Sequence, residues 1–122
     1  MAEGARIRIL VVDDEFSIVE SLREILLWEG YEVDTAPNGR LGLEAVARAR
    51  PALILLDVMM PVLDGLAMLR ELRANPGTAD IPVVLMSAAP FRAAPEALGY
   101  QAALRKPFEA QALLRTIRAL VA

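Results

Sequence analysis

The chain has 122 residues, 56% hydrophobic and 24% charged, with a formal net charge of -3. That size suits one globular domain and that balance excludes a disordered solvating tail, while the scattered arginines form no basic stripe for nucleic acid. Cysteine and histidine are both absent, which removes disulfides, thiolate metal sites, cysteine nucleophiles and imidazole bases together, so any chemistry must come from carboxylates, hydroxyls and lysine.

No stretch approaches the ~20 apolar residues that span a bilayer, and Met1 to Arg8 lacks the apolar run of a signal peptide. The expectation is a single domain over 1–122, cytoplasmic, with no membrane contact and no direct nucleic-acid partner.

Ile7 to Val12 forms the first β-branched run, followed by a helix in which Ile18, Leu22, Ile25 and Leu26 recur on one face until Gly30 ends it. Tyr31 to Ala36 reads as a second strand. Asn38 and Gly39 then open a helix carrying Leu41, Ala45 and Val46, which Pro51 stops. Ala52 to Leu56 is apolar on both faces, as suits a central strand covered on both sides, and it leads directly to Asp57. Asp64 is placed to cap a helix whose Leu66, Leu69 and Leu72 face inward, broken by Asn75, Pro76 and Gly77. Ile81 to Met86 reads as the fourth strand. From Ala88 to Gly99, Pro90 and Pro95 each remove a backbone donor, so only a turn or two of irregular helix fits. A short strand at Ala102 to Arg105 precedes Pro107 and a final amphipathic helix with Leu113, Leu114, Ile117, Leu120 and Val121. Strands alternating with helices predict a doubly wound α/β fold with a five-stranded parallel sheet. Its expected strand order is flavodoxin-like, 2-1-3-4-5, with helices on both faces and a ligand crevice beyond the carboxyl ends of the central strands.

Asp13, Asp14 and Glu15 directly follow the first strand and Asp57 follows the third, so these acids converge at the crevice. Clustered like charges repel, and an oxygen-only donor set with room for water suits Mg²⁺. The plainer explanation, that these acids are helix caps favoured by the macrodipole, does not account for a fourth acid on a neighbouring strand. The loop also lacks the glycines of a phosphate-binding turn, so phosphate can approach only with a bridging metal. Ser87 ends the fourth strand and Lys106 the fifth. Together these residues make a set suited to phosphoryl transfer: a carboxylate nucleophile, a divalent metal, and donors for the spread charge of the transferred group. Lys106 is the sole lysine of the chain, and the Pro107 after it fits a constrained peptide compatible with the cis form.

Over essentially its whole length the chain resembles the receiver domains of bacterial two-component response regulators. The resemblance is carried by Ile9-Leu10-Val11-Val12-Asp13-Asp14-Glu15, by Leu55-Leu56-Asp57-Val58-Met59-Met60-Pro61 with Asp64-Gly65, by Ile81-Pro82-Val83 through Ser87-Ala88, and by Lys106-Pro107-Phe108. It implies that Asp57 accepts a phosphoryl group from a phosphohistidine on a sensor histidine kinase or histidine phosphotransfer protein. Asp13, Asp14, Asp57 and the Met59 backbone carbonyl would help bind Mg²⁺, with Ser87 and Lys106 contacting the phosphoryl oxygens. The implied protein is a timed switch, with its own phosphorylation and dephosphorylation activity, rather than a metabolic enzyme. Its downstream partner and oligomeric state stay open.

Three positions depart from the family pattern. Ala103 stands where a tyrosine or phenylalanine is usual three residues before the lysine, which puts the usual hydroxyl-to-aromatic relay in doubt. Tyr100 lies nearby and is a candidate substitute, although surface packing beside a loop is its expected role. The Ala88 to Gly99 segment is about three residues shorter than is common, close to one helical turn, and Phe16 replaces a frequent proline. A competing reading is a degenerate receiver that keeps the fold as a protein-binding module. A metal-dependent phosphatase with an aspartate nucleophile fits less well, because its second aspartate would fall at Met59, which cannot act as a general acid.

Overall fold

The computed structural model describes residues 6–89 and 98–121. Two strands of uninterrupted apolar sequence organise it: β3 (Leu53–Asp57) and β4 (Val83–Ser87), every residue of which is buried. Each carries its one polar side chain at its last position, Asp57 and Ser87, so the apolar run ends where the strand meets the rim. Around this pair lie β1 (Arg8–Val12), β2 (Glu32–Ala36) and β5 (Ala102–Arg105), giving a five-stranded sheet of order β2-β1-β3-β4-β5 with every pairing parallel.

Parallel neighbours need crossovers, and the helices supply them: α1 (Phe16–Trp28), α2 (Gly39–Arg48) and α3 (Gly65–Ala74), with α4 (Ala110–Val121) following β5. Because side chains alternate along a strand, Leu10, Val12, Ile54, Leu56, Val83 and Leu85 face one layer, made by α2 and α3 through Ala45, Val46, Met68, Leu69 and Leu72. Ile9, Val11, Leu53, Leu55, Val84 and Met86 face the other, made by α1 and α4 through Val19, Leu22, Leu26, Leu113, Leu114 and Ile117. The doubly wound architecture and its strand order are as expected from the sequence. No helix among the described residues is long and apolar enough to cross a membrane.

The helix ends follow their local chemistry. Asn38 and Asp64 cap α2 and α3 by accepting from the Leu41 and Ala67 backbone N–H groups at 2.9 and 2.8 Å. Gly30, at φ +94°, closes α1 in the left-handed conformation that a side chain disfavours. Some expectations move. Leu41 is exposed, because the buried face of α2 runs through Gly39, Gly42, Ala45 and Val46 instead. β2 and β4 begin one and two residues later than the apolar pattern suggests, at Glu32 and Val83, while β3 extends to include Asp57. Tyr100 is buried in the α2/α3 layer and not at the surface, since it precedes β5 at the level of the sheet interior. The irregular helix expected between Ala88 and Gly99 falls largely on residues 90–97, outside the described residues.

At the end of the sheet away from the acids, Arg73 spreads its guanidinium over the turns that follow α3. It donates to the carbonyls of Gly99 (2.7 Å), Ala79 (3.0 Å) and Ile81 (2.8 Å) and to Gln101 Oε1 (3.2 Å), which also accepts from the Val83 N–H. The planar fork matches several carbonyls that would otherwise be poorly paired at the base of β4 and β5. Replacing Arg73 by Ala is expected to destabilise the domain by about 2–4 kcal/mol, since several charge-assisted bonds are lost together. A lowered urea midpoint at unchanged slope would show it, and a change below half a kilocalorie, about the noise of such measurements, would contradict it.

Candidate functional site

Register alone brings the acids together. Val12 pairs with Leu56, so Asp13, just past the end of β1, lies beside Asp57 at the end of β3. Asp14 follows in the same loop, and one carboxylate oxygen from each of Asp13, Asp14 and Asp57 lies within 4.8 Å of the others. Asp13 is 1% exposed and Asp57 5%, whereas Asp14 is open to solvent. Lys106 arrives from β5 on the far side of β4, its backbone N–H bonded to the Ser87 carbonyl at 2.8 Å. Its Nζ lies 2.7 Å from Asp13 Oδ2, 3.2 Å from Asp57 Oδ1 and 3.5 Å from Glu15 Oε1. The Lys106–Pro107 peptide bond is cis.

Charge balance decides the electrostatics. Burial, followed by the negative charge of Asp13, raises the Asp57 carboxyl from 3.8 to about 6 against the opposing pull of Lys106. For Lys106, burial pulls the ammonium down, but the hydrogen bond and charge of Asp13 and the charge of Asp57 outweigh it and raise its pKa, so it stays cationic. One buried ammonium against three close carboxylates leaves excess negative charge. An oxygen-only set of this kind fits a hard divalent cation with water completing its shell.

The loop after β3 is held close beneath the acids. Gly65 donates its N–H to the Val58 carbonyl, and a Cβ there would lie 2.1 Å from the Asp57 carbonyl oxygen. A Cβ at Gly39 would lie 2.5 Å from the Leu63 carbonyl oxygen, also too close. Between them Val62 takes φ +69°, a strained value for a β-branched residue, and the Met59 and Val62 side chains stand exposed.

Of the residues singled out from sequence, Asp13, Asp14, Asp57 and Lys106 converge. Ser87 is buried at the same rim, but its hydroxyl is engaged by Ala89, donating to the carbonyl and accepting from the N–H at 3.2 Å, and not by a carboxylate. The capping explanation of the acidic run fails for Glu15: it occupies the N-cap of α1, yet its side chain makes no cap bond and turns to Lys106. Glu15 as a partner of Lys106 and Gly65 as a packing position under Asp57 were the contributions that sequence reasoning missed. Glu15 stood in the acidic run, but nothing in the run says which acid faces the lysine.

Residues 9–118 match the model of the Response regulator receiver domain family. Among curated relatives, Response regulator MprA of Mycobacterium leprae is 44% identical over 117 residues, covering 93% of this chain and 50% of the relative. The chain thus spans about half the length of the curated relatives it matches. Among solved structures, the chemotaxis protein CheY4 of Vibrio cholerae is 32% identical, with a TM-score of 0.85 over 95% of this chain and 99% of that one. The receiver domain of a sensor histidine kinase from Pseudomonas aeruginosa PAO1, solved with a magnesium ion coordinated in its active site cleft, is 28% identical with a TM-score of 0.87, covering 96% and 98%.

Two outcomes follow from this geometry. Because the folded Asp57 binds its proton more tightly than the unfolded one, its contribution to stability is present below about pH 4 and lost as pH rises through about 6. Asp57→Asn should therefore stabilise the metal-free domain at pH 7 by about 1–3 kcal/mol and remove that part of the pH dependence. Added Mg²⁺ should raise the melting temperature of the wild type more than that of the variant. Gly65→Ala should cost about 1–3 kcal/mol in denaturant unfolding through overpacking against the Asp57 carbonyl; an unchanged midpoint would refute that.

Proposed function

The chain belongs to the response regulator receiver domain family, and on that premise we propose that it is a phospho-accepting switch in which Asp57 takes a phosphoryl group from a phosphohistidine of a sensor histidine kinase or histidine phosphotransfer protein. One observation carries the reading: the buried Asp57 carboxylate lies within a carboxylate cluster while a cationic Lys106 reaches it at 3.2 Å. Asp13, Asp14, Asp57 and the Met59 carbonyl would hold Mg²⁺, which when bound supplies positive charge against the phosphoryl oxygens.

Asp57 is ionised above about pH 6, so at neutral pH an oxygen lone pair is free to attack phosphorus. The new bond is Asp57 O–P and the bond broken is the donor's N–P, the imidazole leaving as the nitrogen base. Lys106 stays charged through this exchange and offsets negative charge gathering on the phosphoryl oxygens. Ser87 contributes only after its hydroxyl gives up the Ala89 carbonyl, so this reading includes a rearrangement of the loop after β4. Water later attacks the phosphorus of the acyl phosphate; the Asp57 O–P bond breaks, inorganic phosphate leaves and Asp57 returns to a carboxylate. The output is a change in the surface offered to a downstream protein.

Incubation with Mg²⁺ and a small phosphodonor such as acetyl phosphate should give a phosphoadduct by intact-mass analysis, absent from Asp57→Asn and abolished by a chelator. Should the wild type form no adduct while still capturing a receiver-binding partner, the domain is a binding module without phosphorylation.

A further inference from the structure

Of the residues at the N-caps of α1, α2 and α3, one does not cap its helix. Asn38 and Asp64 each accept from their own helix, whereas Glu15 leaves α1 without a side-chain cap and places Oε1 3.5 Å from Lys106 Nζ. Glutamate is one methylene too long for the usual capping geometry, so its carboxylate is free for another partner. Its backbone N–H is also committed, donating to Asp13 Oδ1 at 2.9 Å, while Asp13 Oδ2 accepts from Lys106 at 2.7 Å. Asp13 is thus held from two sides within the chain, at Oδ1 by the Glu15 N–H and at Oδ2 by Lys106.

That arrangement poses a competition. A divalent cation at the acid cluster draws on the carboxylates of Asp13 and Asp57, and Lys106 already holds one oxygen of each, Asp13 Oδ2 and Asp57 Oδ1. Once they turn to a cation, Lys106 loses its shortest bond and a second positive charge sits beside it. Its side chain is only 10% exposed, so water alone does not replace the lost carboxylate. Glu15 is the third acid already within reach, and it lies on the side with space: it and Lys106 both line a groove of about 500 Å³ between α1 and α4, walled by Ile18, Ile25, Phe108 and Leu113.

We propose that Glu15 is a positioning residue that receives the Lys106 ammonium when a divalent cation takes the Asp13 carboxylate, which makes cation binding and the placement of Lys106 one coupled event. The inference rests on the reading of the acid cluster as a Mg²⁺ site and deepens it. In this view Lys106 stands in for the cation's charge before binding and moves toward the groove mouth after it, remaining near Asp57 throughout. The Glu15 side chain is 58% exposed, so the pair is a modest, screened one and its substitution leaves the buried core alone.

Mg²⁺ titration of the intact chain, followed by calorimetry and by methyl NMR of Ile18, Ile25 and Leu113, tests this. Glu15→Gln should weaken Mg²⁺ binding about three- to fivefold, the range open to an exposed ion pair. Glu15→Asp should behave like Glu15→Gln, because the shorter side chain keeps the charge but not the reach. In a Lys106→Met background the effect of Glu15→Gln should shrink below about twofold. The groove methyl signals should shift with Mg²⁺ in the wild type and much less in Glu15→Gln. If Glu15→Asp binds like the wild type, or if Glu15→Gln costs as much without Lys106 as with it, Glu15 acts through its general field and the proposal is overturned. Failure of the wild type itself to bind Mg²⁺ would instead remove the reading of the cluster as a metal site.

Discussion

A single ammonium group among carboxylates sets the terms for this domain. Lys106 Nζ lies within 2.7 Å of Asp13 and 3.2 Å of Asp57, both nearly withdrawn from water. Two buried acids side by side would each oppose the other's ionisation, and the lysine is what makes their closeness tolerable in the chain by itself. It does so incompletely: burial first, and then the charge of Asp13, still hold the Asp57 carboxyl above its ordinary pKa. The remaining excess of negative charge is the physical reason the cluster suits a small hard cation, and equally the reason a phosphoryl group needs such a cation to approach.

That balance depends on the sheet beneath it. β3 and β4 are wholly buried and paired in register, so the ends that carry Asp57 and Ser87 are anchored by some of the least mobile parts of the molecule. The loop after β3 is tied down again at Gly65 and Gly39, where backbone approaches backbone too closely for any side chain. Strain at Val62 sits within this tethered loop. The acids are thus held on a rigid floor, while the groups around them, the Ser87 hydroxyl, the Glu15 side chain and Lys106, have alternative partners at hand. A rigid carboxylate with movable neighbours suits the proposed switch, because the acid stays in register while the surroundings change.

Much of this was legible in the linear chain, for identifiable reasons. Asp57 and Asp13 follow apolar runs directly, and in a parallel sheet strand ends converge, so their meeting could be anticipated from order alone. Lys106 stood out as the only lysine. Leu41 was misplaced because an apolar residue in the first turn of a short helix fits the period of either face, and small residues at 39 and 42 gave no hydrophobic signal although they are the ones that face inward. Tyr100 was expected outside because an aromatic beside a loop is often a surface residue; it is inside, where its ring adds to the layer formed with α2 and α3. Arg73 looked like one more scattered arginine, since its carbonyl acceptors lie in two segments brought together only by the fold, the turn through Ala79 and Ile81 and the one at Gly99.

By itself, the amino-acid sequence determined the alternation of strands and helices, the ends at which acids, serine and lysine fall, and the absence of histidine and cysteine chemistry. Those are local or compositional properties, and periodicity and residue type express them directly. The tertiary structure alone decided which acid meets the lysine, that the Ser87 hydroxyl turns to Ala89, and that Glu15 forgoes its cap for Lys106. Such choices turn on final atomic distances, whether across 93 residues, as for Lys106 and Asp13, or within one turn, as for Ser87 and Ala89, where fractions of an ångström select among competing partners.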